Sequence, residues 1–86
     1  MPVDAATVEK TILRLLDEAG AGRTVSPTDV ARALHPGTDW NVLMTPVRRA
    51  AIKLAHDGEI VILRKGKPVN PDDFKGVYRL GRTPRD

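Results

Sequence analysis

The sequence predicts an α+β domain in which three helices are followed by a two-stranded β-hairpin. Three observations predict it. Apolar residues recur at helical spacing in three segments before Gly58, the β-branched run "EIVILRK" follows at once, and "GVYRL" returns after a long connection. The connection itself, "RKGKPVNPDDFKG", is dense in Arg, Lys and Gly before two aspartates. The chain of 86 residues makes one small domain, expected over residues 4–80 with a frayed tail at 81–86. A chain this short buries only about 60% of the surface its unfolded form exposes. Trp40, Phe74 and Tyr78 are the only aromatics among 41% hydrophobic residues, so the core must rest on Leu, Ile, Val and Ala.

Asp4 is placed to cap a first helix reaching about Ala19. Val8, Ile12, Leu15, Leu16 and Ala19 form a single helical stripe, with Glu9, Arg14, Asp17 and Glu18 largely off it. The segment "GAG" ends that helix, and "RTV" offers a short extended stretch. "SPTDVARAL" opens the second helix with the clearest local signal in the chain. Ser26 is the N-cap, Pro27 takes the first helical position, and Asp29 completes a variant capping box. Val30, Ala33 and Leu34 supply its apolar face.

"DWNVLMTPVRRAAIKLAHDG" sets Trp40, Leu43, Val47, Ala50, Ala51 and Leu54 at helical spacing, with Pro46 inside. Proline in a helix interior costs around 3 kcal/mol. The cheaper solution is a helical turn at 39–43, then a restart with Thr45 as cap and Pro46 at the first position; one kinked helix is the alternative. Asp57-Gly58 closes the third helix, and a strand follows. Within the connection, "NPDDF" reads as a capped turn in which Asn70 caps, Pro71 starts and Phe74 packs inward. Three helices, a short turn between the second and third, and a hairpin directly after them make the order of a winged helix-turn-helix. The third helix is then presented outward, with the hairpin tip as a wing beside it.

"SPTDVARAL", Trp40, "LM", "VRRAA", "GEIVILRKGKPV" and "FKGVYRL" together resemble a small bacterial family catalogued only as a domain of unknown function, over roughly residues 8–80. The motif positions match at Ser26, Pro27, Arg32, Trp40, Met44, Arg48, Arg64, Gly66, Lys67, Pro68, Gly76, Tyr78 and Arg79. The resemblance implies a winged-helix-like fold. It implies no activity.

Charge points to a partner. Residues 1–45 carry four basic side chains against six acids, whereas residues 46–86 carry ten against five. A basic half suits a polyanion, and double-stranded DNA is the partner expected. Arg49 and Lys53, four residues apart on one helix face, lead the candidates. Arg64, Lys65 and Lys67 flank the wing tip, where Gly66 lets backbone approach phosphate. Asn41 could pair with adenine. Arg48 either joins this set or turns inward to bond a carbonyl or Asp57. The charge of the basic half is modest and a homodimer would double that charge, so affinity should be weak in a monomer.

The rival expectation is a protein-interaction module without DNA binding, with Trp40 and Met44 as an exposed apolar patch rather than core. Catalysis is not expected, nor any cofactor. With no cysteine, disulfides, thiolate zinc sites and a cysteine nucleophile are excluded. His35, His56-Asp57 and Asp72 or Asp73 follow the order of a phosphohydrolase metal site, but a helix end and a hairpin loop are the wrong setting for one. Both histidines read instead as surface residues at helix ends. No apolar run nears the roughly 20 residues that span a bilayer. The start "MPVDAATVEK" has no apolar leader stretch, so the cytoplasm is the default location.

Overall fold

A computed structural model describes residues 4–20, 22–35, 37 and 39–83. The fold is α+β, with three helices and a four-stranded antiparallel sheet. Helix α1 spans Ala5–Ala19, strand β1 Thr24–Val25 and helix α2 Pro27–Leu34. A 3₁₀ turn at Trp40–Leu43 runs into helix α3, Met44–His56. Strands β2 (Ile60–Arg64), β3 (Lys67–Pro68) and β4 (Arg79–Arg82) follow.

Each helix starts where its chemistry places it. Asp4 accepts a hydrogen bond from the Thr7 amide at 2.7 Å, which satisfies one of the four orphan donors of α1. At α2 the capping box closes both ways. The Asp29 amide donates to Ser26 Oγ at 3.0 Å, and the Ser26 amide donates to Asp29 Oδ2 at 3.2 Å. Helix α3 departs from the expected restart, because Thr45 is no cap and the helix begins at Met44 without a side-chain cap. The helical turn expected over 39–43 is present as the 3₁₀ turn Trp40–Leu43, and Pro46 falls in the first turn of α3, where its missing N–H would have had no helical partner, so no kink is needed. The C-terminus of α3 closes in a Schellman arrangement: the Gly58 amide bonds the Ala55 carbonyl, and the Glu59 amide bonds that of Leu54.

The expected two-stranded hairpin is instead part of a larger sheet in the order β1-β4-β2-β3. Strand β2 turns tightly into β3, with Arg64 paired to Lys67. The two residues between them, Lys65 and Gly66, have φ of 52° and 79°, the positive pair of a type I′ turn. The chain then loops over 69–78 before β4 pairs β2 on its other edge, Ile60 to Arg82 through Leu63 to Arg79. Strand β4 also takes β1 as a neighbour, Thr24 to Gly81 and Val25 to Leu80. Pairing therefore runs past Leu80, where the domain was expected to end. Gly81 is buried, and the Thr83 amide donates to the Glu59 carbonyl. The rest of the expected tail, 84–86, lies outside the described residues.

The core sits between the helices and one sheet face. Val8, Ile12 and Leu16 of α1 meet Val30 and Ala31 of α2, Val47, Ala50, Ala51 and Leu54 of α3, and Ile60, Ile62 and Leu80 of the sheet. Leu15 is half-buried and Ala19 exposed, so the α1 stripe is narrower than its spacing suggested. In α2 the buried face is Pro27, Val30 and Ala31, with Leu34 at its edge, while Ala33 is exposed. Those positions lie at i, i+3, i+4 and i+7, one helical face that excludes Ala33. Phe74 and Tyr78 close the core from the 69–78 loop, their rings edge to face at 5.1 Å.

Candidate nucleic-acid interface

Helix α3 buries Val47, Ala50, Ala51 and Leu54. At about 100° per residue, the opposite side is centred on Thr45, Arg49, Ile52 and His56, with Lys53 and Arg48 on its two flanks. The Lys53 flank faces α1. Its ammonium lies 3.2 Å from Glu9 Oε1 and 3.2 Å from Asp57 Oδ2, and these carboxylates, Asp57 first, hold its pKa above the ordinary lysine value. Arg49 shares a shallow groove with Ala5, Glu9, Pro46, Ala50 and Lys53. It is exposed and makes no hydrogen bond or ion pair among the described residues.

The Arg48 flank faces the 69–78 loop. Arg48 turns inward: Nη2 donates to the Phe74 carbonyl at 2.9 Å, and the guanidinium sits 4.0 Å from the Phe74 ring centroid and 5.8 Å from that of Tyr78. A carbonyl, and not Asp57, is its partner. Burial pushes the Tyr78 hydroxyl pKa up, against an opposing pull from Arg48. The loop is fastened again at the end of α3, where His56 Nε2 lies 2.8 Å from Asp72 Oδ1. Asn70 forms the expected turn, its Oδ1 accepting from the Asp72 amide at 2.9 Å. Asp72 thus lies at the C-terminal end of α3. Among the described residues no group of three or more His, Cys, Asp or Glu side chains is placed to hold a metal ion.

Arg64 connects loop and tip. Its Nε donates to the Val77 carbonyl at 3.2 Å, and its guanidinium lies close enough to Gly76 that a Cβ there would meet Nη2 at 3.2 Å. Lys65 and Gly66 share a shallow groove with Thr24, Leu63, Val77, Tyr78 and Arg79. Lys67 stands opposite Arg64, exposed. The 69–78 loop thus ties Arg48, through Phe74, and Arg64, through Gly76 and Val77, to one segment, whereas Arg49 opens on the other side of α3 beside Glu9 and Lys53.

Of the expected contact residues, Arg49, Lys65 and Lys67 are exposed and unpaired among the described residues, and Asn41 is exposed in the 3₁₀ turn. Arg48, Lys53 and Arg64 are already engaged within the domain. Lys75, overlooked from sequence, is exposed in the 69–78 loop; its place between the buried Phe74 and Tyr78 was the available signal. Trp40 is half-buried with the Arg32 guanidinium 5.1 Å from its ring centroid, while Leu43 is the residue that enters the core. Half-buried Met44 lines a groove of about 410 Å³ with Pro27, Gly76, Val77 and Tyr78. No helix among the described residues is long and apolar enough to cross a membrane.

No curated protein matches the chain. The family described as "Protein of unknown function (DUF3253)" matches residues 5–83. A match spanning nearly the whole domain, from α1 through β4, places this chain in that family.

Proposed function

We propose that the chain is a winged-helix domain that binds double-stranded DNA without catalysing a reaction. The observation that carries this reading is that Arg49 on the outward face of α3 and Lys65 and Lys67 at the β2–β3 tip are all exposed and unpaired among the described residues. The order of elements supports it, since α2 and α3 follow one another, the 3₁₀ turn Trp40–Leu43 leading into α3, and the hairpin comes directly after. Lys65 supports it too. A lysine at φ 52° occupies a position where the turn favours Asn or Gly, and strain of this kind collects at functional sites.

Fluorescence anisotropy against a random labelled duplex at about 50 and 200 mM salt tests the reading. Saturable binding that weakens steeply with salt is expected. The double variant Lys65→Glu, Lys67→Glu should stay folded and lose affinity for every sequence. A folded domain that shows no binding at tens of micromolar would sink the proposal.

A second reading, a protein-interaction module, is favoured by one observation. Val77 is 87% exposed on the rim of the apolar groove that Met44 and Pro27 line. Val77→Asp should then abolish partner binding and leave duplex affinity unchanged.

A further inference from the structure

The side chains of α3 divide by what already holds them. Arg48 is spent on the Phe74 carbonyl and two aromatic rings. Lys53 lies between Glu9 and Asp57, and His56 against Asp72. That leaves Thr45, Arg49 and Ile52 on the outward face, with one guanidinium among them. Helices that read bases do so with three or four side chains reaching base edges, and a bidentate guanine contact needs a free fork of donors. Asp57 and Asp72 also stand at the C-terminal end of α3, and Glu9 lies in the groove that Arg49 and Lys53 line; their charges oppose a phosphate backbone there.

The wing is built for other work. Lys65, Lys67 and Lys75 are exposed and make no ion pair among the described residues. An ammonium is a compact point charge without the planar fork of arginine, so it suits phosphate oxygens, which position a protein without reporting sequence.

We infer that the domain holds duplex DNA mainly through its phosphates, with little discrimination among base sequences, using Arg49, Lys65, Lys67 and Lys75. The inference rests on the duplex-binding reading above and states how that site works. Arg49 anchors α3 at the groove edge, and the three lysines follow the backbone beside it.

The test compares an A·T-rich duplex, a G·C-rich duplex and selection from a random pool, using the intact chain and a Lys65→Gln, Lys67→Gln, Lys75→Gln variant. For the intact chain the two Kd values should agree within about threefold at each salt concentration, and selection should enrich no motif. The slope of log affinity against log salt should be about −3.6 for four contacts, falling to about −0.9 in the variant, at roughly 0.9 per neutralised phosphate. A tenfold preference for one duplex, an enriched motif, or a slope unchanged in the variant overturns the inference and leaves duplex binding standing. No saturable binding to any duplex overturns the duplex reading itself.

Discussion

The two flanks of α3 hold cations five residues apart by different physics. On the α1 side Lys53 meets Glu9 and Asp57 at the surface, its side chain 61% exposed. Solvent screens such pairs, and exposed ion pairs contribute little to stability. On the loop side Arg48 donates to a part-buried carbonyl and lies against two aromatic rings. Water cannot replace that set of contacts without opening the core. The same formal charge is therefore a removable ornament on one flank and a structural tie on the other. Charge in a sequence does not by itself distinguish surface that meets a partner from surface that meets the protein.

The contrast breaks most visibly at Arg48. Arg48→Ala removes a charge-assisted hydrogen bond and a cation–π contact, and leaves the Phe74 carbonyl unpaired in a part-buried site. The expected loss is about 2–4 kcal/mol, read from the urea midpoint. Arg48→Lys should recover only part of it, because an ammonium cannot lie flat on a ring while donating sideways. A loss no larger than that of an ordinary surface substitution would place Arg48 with Lys53 after all.

Alkaline titration sharpens the comparison next. Tyr78 is the only tyrosine in the chain, so tyrosinate absorbance reports it alone. Its folded pKa is raised, first by burial. The native state then holds its proton more tightly than the unfolded chain. The associated stability is fully present below about pH 10 and declines as pH climbs through the folded value. Arg48→Ala removes the one opposing influence, so any tyrosinate signal that still precedes unfolding should shift further upward.

The smallest effect belongs to Lys53. Its raised pKa reflects Asp57 and then Glu9, so its contribution is present below the ordinary lysine value and lost as pH rises through the folded one. Lys53→Gln should move the urea midpoint slightly at low salt. At about 1 M salt, where the Debye length is about 3 Å, the shift should vanish. A salt-independent shift would contradict the reading of this flank as screened surface.

Legibility in the sequence followed the range of the interaction. The Asp4 cap, the Ser26–Asp29 box, the close at Gly58 and the Asn70 turn are set by neighbours within a few residues, and all could be read. Helix α3 could be read as a helix, but its start could not. Whether Pro46 restarts a helix or sits harmlessly in its first turn depends on the preceding 3₁₀ turn. The sheet resisted more. The extended "RTV" stretch became β1, but its partner did not show; a two-residue β3 carries too little pattern, and β4 was placed too early because the exposed Val77 resembles a strand residue. For the candidate site, residue types were legible and their engagement was not. Nothing near Lys53 in sequence announces Glu9, which lies 44 positions away.

The position of β4 has a consequence for synthesis. It lies between β1 and β2, strands that have no sheet neighbour in common until it arrives. While the ribosome is still short of Arg82, the helices can collapse, but Ile60 and Ile62 lack the strand that orders them and Thr24 waits for Gly81. The β2–β3 hairpin can form earlier, but its joining to β1 is held until the chain has been made through residues 79–82, and during that interval the edge of β1 and the β4-facing edge of β2 are open to other chains.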